Sequence, residues 1–203
     1  MGVLIEMTAI AKLQATRLIL RPLELSDADR IQQIFPHWEI VRHLASVVPW
    51  PYPADGALSY IRDIALPAMA RGDEWHWTLR PNTDPELVIG SIGLKKHDTD
   101  NRGFWLAREW HGRGLMTEAA DAVTDYWFDV LNMAVLRVPK AIANVDSRRI
   151  SEKQGMRVIA TEDRDYVSGR LPAEIWEITA DEWHARRRRS LAGTEVAGGD
   201  GER

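Results

Sequence analysis

Apolar positions along the chain follow two spacings, and these separate expected strands from expected helices. Alternating or continuous apolar runs bounded by turn residues predict strands. The predicted strands span residues 17–21, 75–79, 87–94, 104–106, 134–143, 156–161 and 173–179. Pro139 lies inside the 134–143 run, and proline cannot donate a ladder hydrogen bond. We therefore expect a bulge or a splay in that strand.

Three helices are predicted in the first third of the chain, where apolar residues recur three and four positions apart. Ser26 is expected to cap the first helix, and Pro36 ends it. A short second helix would cover residues 37–43. The third is an amphipathic helix over residues 54–70, which Pro67 would kink or shorten.

Two later helices flank the residues that carry candidate chemistry. A long helix begins after Gly114, with one apolar face and one acidic face. Its predicted inner face consists of Met116, Ala119, Ala120, Val123, Trp127 and Val130. Further along, Asp146 or Ser147 is expected to cap a short helix, and Gly155 would end it in a left-handed conformation.

This order of elements predicts one α/β domain of the α+β type, with a single mixed, mostly antiparallel sheet flanked by helices. The expected domain covers residues 13–183. Residues 184–203 would form a basic helix end and a disordered tail from Thr194. A length of 203 residues with 45% hydrophobic residues suits one soluble domain. No apolar run approaches a membrane span or a signal-peptide core, which favours a cytoplasmic protein.

Charge and cysteine content exclude several functional classes. The net charge of −4 and the pI of about 5.9 provide no general attraction for nucleic acid or anionic membranes. The chain contains no cysteine, so it has no disulfide framework, no thiolate nucleophile and no zinc–thiolate site. His97 lies beside Asp98 and Asp100, which is typical of a polar turn, and no metal site is predicted.

The most informative stretch is the turn His111-Gly112-Arg113-Gly114, which joins the 104–106 strand to the long helix. Glycine adopts positive φ at little cost and lets a bulky group approach the backbone. Unpaired N–H groups and the helix dipole favour an anion at a helix start. We therefore interpret this turn as a pyrophosphate cradle to which Arg113 adds charge. It matches neither the phosphate-loop NTPase pattern nor the dinucleotide fingerprint.

A second candidate feature is the proline-stiffened segment 49–53, which contains Trp50 and Tyr52 and follows His37 and Trp38. Three prolines forbid regular secondary structure there. The segment is either the aromatic lip of a pocket or a rigid connector. Tryptophan suits ligand pockets, cores and interfaces alike, so the nine tryptophans do not decide between these readings.

Several ordered motifs at fitting spacing point to one family. They are Thr16–Pro22, Ile89–Leu94, Trp105–Leu106, Trp110–Gly114, Thr117–Ala119, Asn144, Ser147, Glu152–Lys153 and Gly155–Met156. With them the chain resembles the GNAT acyl-CoA-dependent N-acetyltransferases over residues 13–183. Within that superfamily it resembles the branch that acetylates the N-terminal alanine of ribosomal proteins.

This resemblance implies a single-domain GNAT fold, acetyl-CoA as the donor, and no metal. The implied cofactor-binding residues are Trp105, Leu106, Ala107, His111, Gly112, Arg113, Gly114, Leu115, Met116, Asn144, Ser147 and Lys153. Backbone groups of the strand would pair with the pantetheine amides, as an added strand would. The amides from His111 to Met116 would hold the pyrophosphate. Asn144 would contact the pantetheine arm or the substrate.

The resemblance also implies direct attack of a neutral amine on the thioester, without an acyl-enzyme. Ser147 matches a serine that donates a proton to the leaving thiolate, although its alternative role is a plain helix cap. Glu174 matches an acidic position that accepts the amine's proton through water or orients the ammonium; its alternative is an outward-facing strand carboxylate. The expected acceptor-binding residues are His37, Trp38, Trp50, Tyr52 and Glu174.

The sequence leaves three functional hypotheses open. The first is an acetyltransferase acting on a protein N-terminus, and the second is an acetyltransferase acting on a small-molecule amine. The third is a catalytically weak acyl-CoA sensor or partner module, since Glu109 places a negative charge near the expected phosphates. Either a monomer or a homodimer is compatible with the sequence.

Overall fold

The computed structural model describes residues 10–197, with side chains described as far as residue 189. The strands are β1 (Leu13–Gln14), β2 (Leu18–Pro22), β3 (Glu74–Pro81), β4 (Gly90–Lys95), β5 (Arg102–Leu106), β6 (Val135–Ala141), β7 (Arg157–Tyr166) and β8 (Gly169–Thr179). The helices are α1 (Ala28–Ile34), α2 (Trp38–Val41), α3 (Gly56–Tyr60), α4 (Leu66–Arg71), α5 (Leu115–Asp125), α6 (Val145–Lys153) and α7 (Ala180–Ala197).

The strands form two antiparallel sheets. The first sheet has the order β1-β2-β3-β4-β5, and the second has the order β6-β8-β7. The expected α/β fold with flanking helices is confirmed, but the sheet is divided rather than continuous. The sheet is interrupted between β5 and β6, the two strands that are connected through α5.

β5 and β6 touch at their beginnings and are not paired further along. Asn101 donates its N–H to the Arg137 carbonyl oxygen at 2.7 Å, and the Arg137 N–H donates to Asn101 Oδ1 at 2.7 Å. Three residues further along each strand, the Lys140 amine lies over the Phe104 ring. The two strands therefore run parallel. We call the space between them beyond the Asn101–Arg137 contact the gap.

Pro139 accounts for part of this division. Its strand pairs with β8 without a register shift, and the only shift in the second sheet falls between Val158 and Ala160 of β7. The expected bulge at Pro139 is therefore absent. Since Arg137 directs its N–H and C=O toward β5, Pro139 two residues later lacks its N–H on that same side. The splay occurs where no ladder donor is available.

Two apolar clusters cover the first sheet. One face of the first sheet packs against α5 through buried residues that include Trp77, Leu79, Ile92, Ala119 and Val123. The opposite face packs against α1 and α3, and residues of that second cluster include Ile31, Ile34, Ala57, Ile61 and Ala107. Leu136 and Val138 of the second sheet join the α5 cluster, so one core spans both sheets on that side.

Helix starts differ from the sequence expectation at two places. Before α1, a capping box forms between Glu24 and Asp27, while Ser26 contacts Glu24 and does not cap the helix. At α6 the cap is Asn144, whose Oδ1 accepts from the Ser147 N–H at 3.3 Å. Asp146 and Ser147 are therefore the second and third residues of α6, and the Ser147 hydroxyl is not its cap.

A wide π turn explains one error in helix phase. Residues 126–130 continue α5 as a π turn, and Val130 is 57% exposed although a regular helix would bury it. A π turn holds more residues than an α turn, so it rotates later side chains off the predicted face. Residues 61–65 form a second π turn just before Pro67, where the expected interruption occurs. α7 also extends to Ala197, so the tail predicted to be disordered is helical from 194 to 197, and residues 198–203 lie outside the description.

A second connection joins the N-terminal half of the chain to the second sheet. The segment after α2 hydrogen-bonds to the β7–β8 hairpin: the Ser46 N–H donates to Asp165 O, and the Val167 N–H donates to Leu44 O at 3.0 Å. Ala45 and Tyr166 form an isolated antiparallel bridge.

Candidate active site

The gap presents backbone hydrogen-bonding groups from both strands. On β5, Ala107 donates to Ile89 and the Asn101 carbonyl accepts from Lys95, so odd-numbered residues pair with β4. The N–H and C=O groups of Phe104 and Leu106 consequently face the gap. The backbone of Trp105 and the Ala107 N–H are directed at β4, and the Ala107 carbonyl oxygen accepts from the Trp110 N–H at 2.9 Å.

The turn after β5 has the conformation that its glycines predict. Gly112 has φ +72° and Gly114 has φ +77°, both in the left-handed region that disfavours side chains. No atom of the described chain lies within 4 Å of where a Cβ on Gly112 would stand. Residues 111–114 are exposed. The turn therefore leaves room for a large anion directly against the backbone at the start of α5.

Arginines surround this turn but are already engaged with protein atoms. Arg17 donates from Nη1 to the Arg113 carbonyl oxygen at 3.0 Å and pairs with Glu118 at 2.9 Å. Arg113 donates to the Glu109 carbonyl oxygen at 2.8 Å and stacks over Trp110 at 4.9 Å. Arg113 thus closes the turn on itself, while Arg17 adds positive charge next to Gly114.

His111 connects the turn to the end of β5. Its Nε2 lies 2.8 Å from the Leu106 carbonyl oxygen, so that nitrogen carries the proton and donates. The Leu106 N–H remains directed at the gap. Beside it, an open depression of about 580 Å³ is lined by His37, Glu39, Arg108, Glu109 and His111. The structure therefore brings His37 from the expected acceptor side next to His111 from the expected cofactor side.

Carboxylates give this depression a local negative charge. Glu39 lies at the start of α2, where a backbone hydrogen bond is the main cause of its lowered pKa and nearby Arg108 contributes. Arg108 Nη2 is 3.8 Å from Glu39 Oε1. His43, one turn further along, has a pKa lowered by burial and by Arg42, which favours its neutral form.

The aromatic residues of the expected lip separate into two groups. Tyr52 packs edge-on against Phe35, which in turn packs against Trp105, each with ring centroids 5.0 Å apart. Trp38 and Trp50 pack against each other with ring centroids 5.6 Å apart and ring planes tilted by 48°, and each is 42% exposed. Only Tyr52 is thus connected by packing to β5, and burial raises its pKa. Trp38 and Trp50 form a surface pair beside the depression.

Asn144 and Ser147, at the start of α6, lie next to the end of the gap where β6 finishes. Asn144 uses Oδ1 to cap the helix, which leaves its amide N–H₂ for other partners. Ser147 is 7% exposed, and its hydroxyl makes no hydrogen bond to the described residues. The predicted Lys153 lies nine positions after Asn144, about 13 Å along the helix, and is exposed. Lys153 therefore lies at the other end of α6 from Asn144.

Glu174 forms a two-point ion pair rather than pointing freely outward. Arg148 of α6 donates from Nε to Oε2 at 2.8 Å and from Nη2 to Oε1 at 3.0 Å. The carboxylate correspondingly raises the pKa of Arg148. In the strand register Glu174 lies between Lys140 on β6 and Thr161 on β7. Glu174 therefore lies on the central strand of the second sheet, opposite Lys140 of the gap-side strand β6, with both oxygens occupied.

Lys140 is a site residue that the sequence reasoning did not identify. It is 5% exposed, and its Nζ lies 4.4 Å from the centroid of the Phe104 ring across the gap. Burial is the main cause of its lowered pKa of about 7, the buried Arg102 lowers it further, and Asp100 opposes the shift. The sequence did contain one indication of this residue. Leu136, Val138 and Lys140 are alternate residues of one strand, so Lys140 is expected on the same buried face as the two apolar residues.

Arg102 is a second buried cation near the gap. Its guanidinium donates to Thr124 Oγ1 and to Gln154 Oε1 at 2.7 Å each, and it is 2% exposed. These neutral partners anchor β5 to α5 and α6. Desolvation lowers the Arg102 pKa to about 10, and nearby Asp121 opposes the shift. Arg102 therefore adds positive potential next to Lys140.

Comparison with known proteins identifies the family. Residues 17–157 match the family described as Acetyltransferase (GNAT) domain, which is more than half of the chain. The uncharacterized N-acetyltransferase p20 of Bacillus licheniformis is 30% identical over 127 residues, covering 60% of this chain and 68% of p20. YdaF of Bacillus subtilis (strain 168), named as a candidate ribosomal N-acetyltransferase, is 32% identical over 72 residues, covering 34% of this chain and 39% of YdaF.

The fold has solved counterparts. RimL, a ribosomal L7/L12 α-N-protein acetyltransferase solved in complex with coenzyme A, superposes with a TM-score of 0.71 at 13% identity. The match covers 83% of this chain and 98% of RimL. No helix among residues 10–197 is both long and apolar enough to cross a membrane. Across that range no cluster of three or more histidine, aspartate or glutamate side chains is arranged to hold a metal ion.

Proposed function

This chain belongs to the GNAT acetyltransferases, and from that premise we propose that it transfers an acetyl group from acetyl-CoA to the N-terminal amine of a protein, with alanine as the expected first residue. The enzyme class follows from the family. The donor and the acceptor are the proposal, and each is supported by a different part of the structure.

One observation carries the proposal for the donor. The gap-facing backbone of Phe104 and Leu106 leads directly into a turn whose two glycines are left-handed, with open space in front of Gly112 and the Arg17 guanidinium beside Gly114. A pantetheine chain is an extended amide-bearing group that can pair with an unpaired strand edge. A diphosphate suits the N–H groups at a helix start. These residues fit acetyl-CoA, which supplies the activated acetyl thioester when bound.

Residues of the chain can supply the remaining groups that acetyl transfer needs. The Leu106 N–H is directed into the gap, where it can donate to a thioester carbonyl and stabilise negative charge on the oxygen. The Ser147 hydroxyl, which is not engaged in capping α6 because Asn144 is the cap, can donate a proton to the departing sulfur. Trp105 and Ala107 hold β5 against β4, so they position Leu106 rather than bind directly.

Support for a protein N-terminus as acceptor comes from the depression between α2 and the turn. It is open to solvent, so an extended peptide could reach its floor without a lid moving. Glu39 and Glu109 line it and favour an ammonium group over an anion. YdaF, which is named as a candidate ribosomal N-acetyltransferase, is a relative consistent with this acceptor class.

The test measures free-thiol release from acetyl-CoA across a panel of amines. The panel contains peptides beginning with alanine, serine and methionine, together with spermidine and an aminoglycoside. We expect the alanine peptide to give the highest kcat/KM, and an N-terminally blocked version of the same peptide to give none. Isothermal calorimetry with coenzyme A measures donor binding separately.

Each outcome has a distinct meaning. Turnover with spermidine or the aminoglycoside alone overturns the protein acceptor and favours the small-molecule hypothesis. Binding of coenzyme A without turnover on any amine favours the sensor hypothesis. Absence of coenzyme A binding overturns the donor assignment itself.

A further inference from the structure

Lys140 is a buried amine at the one place where the two sheets separate. Its Nζ crosses from β6 to the ring of Phe104 on β5, and it takes part in no ion pair or side-chain hydrogen bond among residues 10–189. Buried lysines without a partner are costly, so they are uncommon in a purely structural role. Phe104 precedes Leu106 by two residues, about 7 Å of extended strand. Lys140 therefore shares the gap with the group expected to polarise the thioester.

We propose that Lys140 is a catalytic residue of the acyl transfer, whose neutral amine takes the proton that the acceptor loses on attack. This inference rests on the proposed function, since it requires the acceptor and the thioester to meet in the gap. It assigns the base to a residue that the family match does not designate.

The ion pair of Glu174 is the first argument for a different base. Both carboxylate oxygens accept hydrogen bonds from Arg148, at 2.8 and 3.0 Å. Both oxygens are therefore already engaged with the Arg148 guanidinium rather than presented alone to an acceptor amine. Lys140 lies directly opposite Glu174 in the β6–β8 register, so it stands at the same end of the gap.

The second argument is the charge around Lys140. Arg102 faces it from β5, Asp100 from the loop before β5, Glu174 from β8, and Arg148 from α6 through Glu174. Burial and Arg102 together lower the pKa of Lys140 to about 7, against the attraction of Asp100. A large fraction of the amine is therefore neutral at neutral pH. A general base is most effective when its pKa is near the working pH.

The groups already named account for every bond and every proton that changes in the acyl transfer. The acceptor nitrogen forms the C–N bond, and one of its N–H bonds breaks as Lys140 Nζ takes the proton. The C–S bond breaks, and the sulfur gains a proton from the Ser147 hydroxyl. Exchange through solvent returns the proton from Nζ to Ser147 Oγ. The products are the acetylated amine and a free thiol, and both side chains regain their starting states.

The first experiment observes the amine directly in the free protein. Lysine side chains labelled with ¹³C and ¹⁵N are titrated by NMR in the wild-type protein and in Lys140→Met. We expect one lysine to titrate near pH 7 in the wild type and to be missing in the variant. Titration of every lysine above pH 9 would overturn the inference, whatever the activity assays give.

The second experiment compares the pH profile of kcat between variants. Lys140→Met removes the base and retains a side chain that packs on Phe104, whereas Lys140→Arg retains a charge that cannot be lost near neutral pH. We expect the wild-type kcat to rise with pH through about 7, and both variants to lose about 100-fold in kcat together with that rise. Calorimetry should show unchanged coenzyme A affinity for Lys140→Met.

Lys96→Met is the matched control. Lys96 also lies over an aromatic ring, with Nζ 5.5 Å from the centroid of Trp75, but it is exposed and follows the last residue of β4, outside the gap. Its kcat and pH profile should equal those of the wild type. A Lys140→Met enzyme with the wild-type pH profile overturns this inference alone. A wild-type protein inactive on every amine overturns the proposed function and this inference with it.

Discussion

Arg148 holds both carboxylate oxygens of Glu174, with Nε 2.8 Å from Oε2 and Nη2 3.0 Å from Oε1. The pair fastens the first turns of α6 to the centre of the second sheet. Since Asn144 and Ser147 belong to that same helix start, the pair also fixes where their side chains stand relative to the gap. Glu174 therefore acts together with Arg148, and its role is best tested as a pair.

A double-mutant cycle on this pair tests the coupling. We expect Glu174→Gln and Arg148→Met each to lower kcat/KM for the acceptor about tenfold, equivalent to about 1.4 kcal/mol. The double variant should lose no more than either single one, because both remove the same interaction. Arg149→Met is the control, since Arg149 is exposed and lies 3.5 Å from Asp146 on the outer side of α6. Additive losses would show that Glu174 acts independently of Arg148.

Gly112→Ala tests the pyrophosphate cradle. A left-handed φ costs a non-glycine residue about 1–2 kcal/mol, and the new methyl group would occupy the space in front of the turn. We expect the affinity for coenzyme A in calorimetry to fall at least about tenfold. Gly72→Ala has a matched backbone cost, with φ +69° and no atom within 4 Å, at the end of α4. An equal loss of affinity in Gly72→Ala would mean that instability, not the turn, is the cause.

The buried pair between Asp27 and Arg80 makes a stability prediction. Arg80 Nη2 lies 2.5 Å from Asp27 Oδ1, and both side chains are about 5% exposed. Asp27→Asn removes the buried counter-ion of Arg80 and leaves only the exposed Glu86, 3.9 Å from Arg80 Nη1, so we expect the free energy of unfolding in urea to fall by about 3 kcal/mol. Asp63→Asn removes an exposed pair with Arg62 and should leave the urea midpoint unchanged. A loss below about 1 kcal/mol for Asp27→Asn would contradict this assignment.

The lowered pKa of Glu74 leads us to expect that the free energy of unfolding depends on pH in the acid range. His76 Nε2 lies 2.6 Å from Glu74 Oε2, and this hydrogen bond is the main cause of the lowered pKa of Glu74. A carboxylate with a lowered folded-state pKa contributes stability above its unfolded value of about 4.5, and that contribution is lost as pH falls through the folded value. We therefore expect the unfolding free energy of the wild type to fall below pH 4.5.

Thermal unfolding between pH 3 and pH 6 measures this dependence. Glu74→Gln should be less stable than the wild type at pH 6, and the difference should shrink as the pH falls through the lowered folded-state pKa of Glu74, where the wild-type carboxylate takes up a proton. Glu162→Gln serves as the comparison, since Glu162 is exposed and pairs with Arg164 on the same strand. A constant difference between Glu74→Gln and the wild type across this range would refute the linkage.

Local rules predicted the local features well. Gly112, Gly114 and Gly155 all have the positive φ expected of glycine at turns and helix ends. The segment 49–53 lacks regular structure because prolines remove its donors. Strand and helix order was recovered because apolar spacing reports burial.

Features that depend on contacts between residues distant in the chain could not be predicted from the sequence. Apolar runs at 104–106 and 134–143 indicate burial but do not say that β5 and β6 separate, because that depends on which backbone groups meet across the sheet. The pair of Glu174 with Arg148 and the contact of Lys140 with Phe104 both join residues distant in sequence. The exposure of Val130 follows from a π turn, which no spacing rule anticipates.

The division of the sheet also bears on how the chain is made. Every ladder partner of the first sheet lies before residue 107, and every ladder partner of the second lies after residue 134. During synthesis the first sheet can therefore complete its strand pairing while the second is still inside the ribosome. The site then assembles last, when β6 docks beside β5 and the β7–β8 hairpin reaches residues 42–46. A truncated product ending near residue 130 would contain a paired sheet and no functional gap.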